Sequence, residues 1–370
     1  MPTYIIIYWS MLFLRCLSAG PIRLPIKRMP FESGLDVYSI MVDLVVDGQS
    51  LRALIDTGTW TTFFVWKSWY EKGQPGGCSM LTFGCYECPG QPCMAGPTET
   101  DKFADGSGAT WFKRNGMITF ASVSTKLDYG LLSKYDYIQD IPVPHASFGL
   151  APNADKSSSY IPIIQQLRSQ KLIDNSRFSV YLKPGKELAG ELLIGADDPV
   201  LYKGPLRYIS LVKPRFLQLT ELRIGSNAAS KIPLSDLAEL DTGADSFYMP
   251  KYIVPRVISD LQRRGSRRVL FTKVNNQYKV KCADQRYLPP MTFSFKGAAA
   301  SAAGSGVELE LPPSVYVQPC ESGSGAGCEL CKILISGIDD DIWGFGYPSL
   351  IGKYFTYDWD KLQLGVADLK

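Results

Sequence analysis

Histidine is nearly missing from this chain: His145 is the only one in 370 residues. A Ser-His-Asp hydrolase needs imidazole as the base for its nucleophile. His145 lies among Pro142, Val143 and Pro144 and reads as a loop or subsite residue instead. The count also excludes a histidine-rich metal centre. Net charge is only +3, too small to argue for nucleic acid or an anionic surface as partner. Gly106-Ser107-Gly108 lacks the lysine of a phosphate-binding loop, and no Asn-x-Ser/Thr sequon occurs. Beyond the first 14 residues there is no apolar run of membrane-spanning length. The basic run Arg263 to Arg268 reads as a solvated helix end and turn.

What the chain has in quantity is turn and strand. Its 25 prolines and 33 glycines punctuate short runs rich in Val, Ile, Tyr and Phe, the pattern of a mostly β protein. The length exceeds one comfortable core and predicts two lobes. Tyr4 to Leu14 is a short apolar run followed by small residues, so residues 1–19 read as a secretory signal peptide, with an uncleaved anchor as the alternative because the leading part lacks Lys and Arg. The short interval from there to Asp56 predicts no long inhibitory prosegment, and Lys27-Arg28 is a weak processing signal. With Cys16 removed, eight cysteines remain in two groups of four: Cys78, Cys85, Cys88, Cys93 and Cys282, Cys320, Cys328, Cys331. An even split in an exported chain predicts two disulfides per half, with the pairing open. The rival reading is zinc on Cys85-x-x-Cys88 and Cys328-x-x-Cys331.

Along the chain, Tyr38 to Val46 alternates as a strand and Asp47-Gly48 is a hairpin signal. Gly73 to Gly96 reads as a cysteine-stapled loop, and Lys102 to Gly108 as a second hairpin tip. Ile161 to Ile173 has helical spacing, as does Ile253 to Arg263. A linker is expected at Asp197-Asp198-Pro199, a hairpin at Gly225-Ser226-Asn227, and a low-complexity loop over Gly297 to Gly306.

The strongest signal is a repeated tripeptide. Asp56-Thr57-Gly58 and Asp241-Thr242-Gly243 lie 185 positions apart, half the chain, each at the end of a largely apolar run. An aspartate at a strand end, followed at once by a turn, is aimed into a cleft. Two such turns can set two carboxyls face to face. Further marks occur in order: Phe103-Ala104-Asp105-Gly106-Ser107, Ser147-Phe148-Gly149, Phe178-Ser179-Val180-Tyr181-Leu182 and Trp343-Gly344-Phe345-Gly346. Together these segments, from about Asp36 to Leu369, resemble the pepsin-like aspartic proteases.

That resemblance implies a mostly β, bilobal acid-protease fold: two β-barrel-like lobes, a cleft between them and a few short helices. The lobes are expected at residues 20–200 and 201–370. Asp56 and Asp241 would hold the attacking water, one ionised and one protonated. Thr57 and Thr242 would exchange hydrogen bonds beneath them, and Gly58 and Gly243 would admit close backbone approach. The Thr59 hydroxyl would donate to Asp56. Phe103 to Ser107 would be the flap, with Leu54, Phe63, Glu239, Ala244 and Asp245 lining the cleft. The implied partner is an extended peptide or protein substrate, with statine-type inhibitors expected to bind. Neither cofactor nor metal is implied. A monomer, secreted or in the lumen of the endomembrane or vacuolar system, is expected.

Four departures from the family pattern stand out. The usual flap tyrosine is Phe103, and the tryptophan it commonly bonds is Phe63, so both ends of one hydrogen bond are apolar together, a swap that can be nearly neutral. Ala244 replaces a common hydroxyl donor to the second aspartate, which predicts a tighter-held proton and a weakly acidic optimum. Glu239 shares a strand face with Asp241. It reads either as a pocket for a basic residue, adding negative potential to the aspartates, or as a carboxylate turned to solvent or to a structural Lys or Arg. Ser147 and Gly344 each replace an apolar residue behind an aspartate. The second functional reading is a non-catalytic relative that binds peptides or another protein.

Overall fold

The structure is a computed structural model describing residues 20–32, 37–90, 93, 96–121, 123–137, 142–153, 157–185, 187–225, 231–274, 277–298, 306–318 and 329–370. The expected signal peptide, Cys320, Cys328, Ser226-Asn227 and most of the Gly297 to Gly306 stretch lie outside the described residues.

Each aspartate is delivered by the same local device. In the first half, Tyr38–Val46 turns through Asp47-Gly48 into Gln49–Asp56, and both turn residues have positive φ (47° and 81°). That is the backbone an Asp-Gly hairpin turn requires. Asp47 is also tied down from outside the turn, accepting from the Met117 N–H and from the hydroxyls of Tyr86 and Tyr129. The short strand Ser147–Gly149 then runs parallel to Gln49–Asp56, with Asp56 opposite Gly149. In the second half Phe216–Ile224 pairs with Lys231–Leu240, and Ile342–Phe345 runs parallel to the latter with Leu240 opposite Phe345. A carboxylate-bearing strand flanked by a parallel apolar-glycine strand thus occurs twice. Glycine is required at both flanks: a Cβ on Gly149 would lie 2.5 Å from the Thr61 carbonyl oxygen, and one on Gly346 2.5 Å from that of Ser246.

A third layer joins the halves. Tyr202–Val212, Gln363–Leu369, Lys353–Asp358, Arg177–Lys183, Ala189–Ile194 and Ile22–Pro30 pair in that order, all antiparallel. Lys27 and Arg28 fall within its outermost strand. The Asp197-Asp198-Pro199 connection is fastened to this layer: Arg177 and the Tyr202 hydroxyl bond Asp197, and Arg23 pairs with Asp198. The protein is mostly strand, in a large network of paired strands plus a separate four-stranded sheet, Phe271–Val274, Gln277–Lys281, Leu330–Ile333 and Val317–Gln318.

Helices are few and shorter than their periodicity. The expected helix over Ile161 to Ile173 is Ile163–Ser169, because Lys171 adopts a left-handed φ of 59° and turns the chain. The second is Val254–Arg263, with a proline in its first turn. Among the described residues no helix is long and apolar enough to cross a membrane.

The loop Gly73 to Gly96 is stapled by Cys78–Cys85 and Cys88–Cys93, and Cys282–Cys331 closes a longer loop in the second half. With Cys85, Cys88 and Cys331 each in a disulfide, the zinc alternative loses its ligands.

Candidate active site

The two Asp-Thr-Gly turns meet at the centre of the molecule. Thr57 donates its hydroxyl to the Leu240 carbonyl (2.7 Å), and Thr242 donates its own to the Ile55 carbonyl (2.7 Å). Each hydroxyl also accepts from the opposite threonine's backbone N–H, at 3.0 and 3.1 Å. Four buried hydrogen bonds therefore join the strand ends, and both threonines are at most 1% exposed. The Tyr357 hydroxyl adds a bond to the same Leu240 carbonyl at 3.1 Å.

Above this lattice both carboxyls border Gly243, where an added Cβ would lie 3.0 Å from Asp56 Oδ1 and 3.1 Å from Asp241 Oδ1. Asp56 is buried and Asp241 partly exposed, so the pair opens to solvent on the second half's side. A Cβ on Gly58 would meet the Asp241 carboxyl at 2.7 Å, and one on Gly243 would meet Asp56 at 3.0 Å, so glycine is obligatory at both positions. Asp56 Oδ1 accepts from the N–H groups of Gly58 (2.8 Å) and Thr59 (3.0 Å). The Thr59 contact comes from its backbone rather than from the expected hydroxyl, because the turn points that N–H at the carboxylate. Asp241 Oδ1 accepts one such bond, from Gly243 at 2.9 Å. Ala244 supplies no side-chain donor.

Burial, and then the neighbouring carboxyl, push Asp56 well above the ordinary aspartate value. Burial raises Asp241 too, opposed by the Gly243 N–H and by the Arg215 guanidinium. Both carboxyls thus hold their protons above the usual carboxylate range.

The hairpin of Thr98–Lys102 and Gly108–Phe120 carries Phe103 to Ser107 at its tip. Ala104, Asp105 and Gly106 are exposed, while Ser107 is buried and bonds Asp105 through both its N–H and its hydroxyl. Gly106 has φ +92°, the conformation the tip needs. Asp105 adds to the upward push on Asp241. Phe103 and Phe63 face one another with ring centroids 6.4 Å apart. Leu54 is buried in the strand below, and Asp245 accepts from the Tyr248 hydroxyl at 3.0 Å.

His145 is a loop residue, as expected, but a buried one, within 5.5 Å of the Phe63 and Phe103 ring centroids. Its Nδ1 is 2.8 Å from the Tyr135 hydroxyl, and burial pushes the imidazole down to about 4. Gly344 leaves no void, because the Tyr248 side chain fills the place of its missing Cβ. Ser147 is fully buried and its hydroxyl has no partner among the described residues. Glu239 stays in its ladder opposite Gly344, with its side chain 12% exposed, and Arg215 reaches it at 3.2 Å. Arg215 comes from the turn between Tyr202–Val212 and Phe216–Ile224 and also donates to the Gly58 carbonyl. Nothing in the Lys213-Pro214-Arg215 turn signals this reach, which spans 157 positions.

Comparison with known proteins agrees with this architecture. A family model described as eukaryotic aspartyl protease matches residues 132–369, a stretch that contains the Asp241 turn. The chain belongs to that family, the pepsin-like aspartic proteases. It is 24% identical to Pepsin-2B of Gadus morhua over 59% of this chain and 62% of the relative. It is 25% identical to cathepsin D of Mus musculus over 64% of this chain and 53% of the relative. It is also 24% identical to an acid protease of Saccharomycopsis fibuligera over 92% of this chain and 82% of the relative. The chain thus spans little more than half the length of the pepsin and cathepsin relatives it matches.

Proposed function

We propose that the protein is an aspartic endopeptidase that hydrolyses peptide bonds of extended polypeptides, its two lobes being residues 20–200 and 201–370. The observation that carries this reading is that both carboxyls border Gly243 above two turns joined by four threonine hydrogen bonds. In the mono-protonated pair the ionised carboxylate takes a proton from a water as that water attacks the peptide carbonyl carbon. The protonated partner donates to the carbonyl oxygen, so no free oxyanion develops. The C–N bond then breaks, the leaving amine takes up a proton, and the pair returns to one shared proton. Closure of the Phe103 to Ser107 hairpin would shield these transfers from bulk water.

The missing donor at Ala244 and the burial of both aspartates support a weakly acidic optimum. The disulfides support an oxidising compartment, secreted or luminal. A monomer that binds statine-type inhibitors completes the proposal. The test is incubation with denatured haemoglobin or casein from about pH 3 to 7, with and without such an inhibitor, alongside Asp241→Asn. Inhibitor-sensitive cleavage that the substitution abolishes supports the enzyme. Tight inhibitor binding with no cleavage at any pH makes the protein a peptide-binding relative instead.

A further inference from the structure

A carboxylate beside a pair that must carry a negative charge is an expensive neighbour. Glu239 lies two residues before Asp241 on the same strand face, nearly enclosed, and its Oε1 has no aligned hydrogen-bond donor among the described residues. Such a group persists only if something compensates it. The compensation is Arg215, whose Nε lies 3.2 Å from that oxygen. The same guanidinium donates through Nη1 to the carbonyl of Gly58, inside the first Asp-Thr-Gly turn, and lies 5.2 Å from the Phe216 ring centroid. One cation therefore touches the first turn directly and the strand of the second through Glu239.

We propose that Arg215 and Glu239 are positioning residues for the aspartate pair, with Arg215 fastening the two turns from the cleft side and the Arg215–Glu239 couple setting the charge against which the pair shares its proton. This rests on the endopeptidase reading and adds to it a control within the cleft wall. Other titratable and charged groups face the pair as well. Asp105 stands at the flap tip, the hydroxyls of Tyr357 and Tyr248 lie against the second half, and Tyr135 lies behind the flap. Those tyrosines are all held neutral by burial. Asp105 is exposed at the hairpin tip, and Arg215 is the cation that opposes both Asp241 and Glu239.

The couple also bears on specificity. A basic substrate side chain entering here would find Glu239 already engaged by an arginine of the protein itself.

The experiment is the pH–rate profile of the full chain carrying Arg215→Gln, Arg215→Lys, Glu239→Gln and the double Arg215→Gln/Glu239→Gln. Loss of the cation should move both limbs of the bell to higher pH, by about one unit or more. Burial and Asp241 hold the Glu239 proton above the usual carboxylate range, so its charge is present on the alkaline side. Glu239→Gln should therefore move the alkaline limb lower, and the double variant should bring that limb back near the wild type. Arg215→Lys keeps the charge and loses the two-point fastening, so its profile should stay while its urea midpoint falls. Unchanged limbs in both Arg215→Gln and Glu239→Gln overturn the proposal and leave the couple a structural brace. If Arg215→Gln does not fold, an unshifted Glu239→Gln profile suffices to overturn it. A wild type that neither cleaves nor binds a statine-type inhibitor defeats the endopeptidase reading itself, a result distinct from an active wild type whose variants do not shift.

Discussion

At the scale of single residues, Asp56 and Asp241 are alike in sequence and unlike in surroundings. Asp56 accepts two backbone bonds and is buried; Asp241 accepts one and faces the opening. Asp241→Asn should lower kcat by about 10³-fold or more with little change in KM, because only the reacting pair is altered; steady-state kinetics on a peptide substrate checks this. Beneath them, Thr57→Val removes a hydroxyl that donates to Leu240 and accepts from Thr242. It strands the buried Thr242 N–H and leaves the Leu240 carbonyl to Tyr357 alone, so a loss of about 1–3 kcal/mol is expected in urea unfolding, with Thr57→Ser restoring most of it. The tripeptides and their turns could be read in the sequence, because turn chemistry is local, whereas the threonine exchange, 185 positions apart, came only through the family resemblance. Arg215 could not, since its contacts join residues brought together only by the complete fold.

At the scale of elements, the flap hairpin shows a coupled replacement. Phe103 and Phe63 meet as rings, and the imidazole of His145 packs against both. Phe103→Ala removes those ring contacts from a tip whose neighbours are already exposed. KM should rise about fivefold or more while the melting temperature barely moves, the mark of a contact made for substrate rather than for the core. The apolar swap was legible from the spacing of the two phenylalanines after their motifs. The role of His145 was not, because its flanking prolines suggested a loop and only the fold reveals the aromatic cage. Helix ends were misjudged for a similar reason: the spacing of Ile164, Leu167 and Leu172 continues past the point where Lys171 turns the backbone. Disulfide pairing within the first cysteine cluster was likewise undetermined until the loop had a path.

At the scale of the molecule, the site is a liability as well as a device. The raised aspartates hold a proton in the folded state that the unfolded chain releases above its ordinary value of 3.8. Where the folded chain binds more protons than the unfolded one, stability falls as pH rises. Asp47, Asp198, Asp360 and Asp368 are shifted the other way by their partners, so their contribution is lost as pH falls through their lowered values. A stability maximum at weakly acidic pH follows, measurable as the urea midpoint from about pH 3 to 8. Asp56→Asn should flatten the alkaline side of that curve. The mostly β, two-lobed plan was legible from turn density and from the repeated motif. The layer that joins the halves was not, because its strands pair across great sequence distance without a motif of their own.

That joining layer has a temporal consequence. Arg177–Lys183, from the first half, pairs on one side with Ala189–Ile194 and on the other with Lys353–Asp358, which in turn pairs with Gln363–Leu369. A chain still being made on the ribosome therefore carries Asp56 long before Asp241, and the strands that join the halves follow later still. The meeting of the two Asp-Thr-Gly turns is thereby tied to a seam that can form only after both have been made.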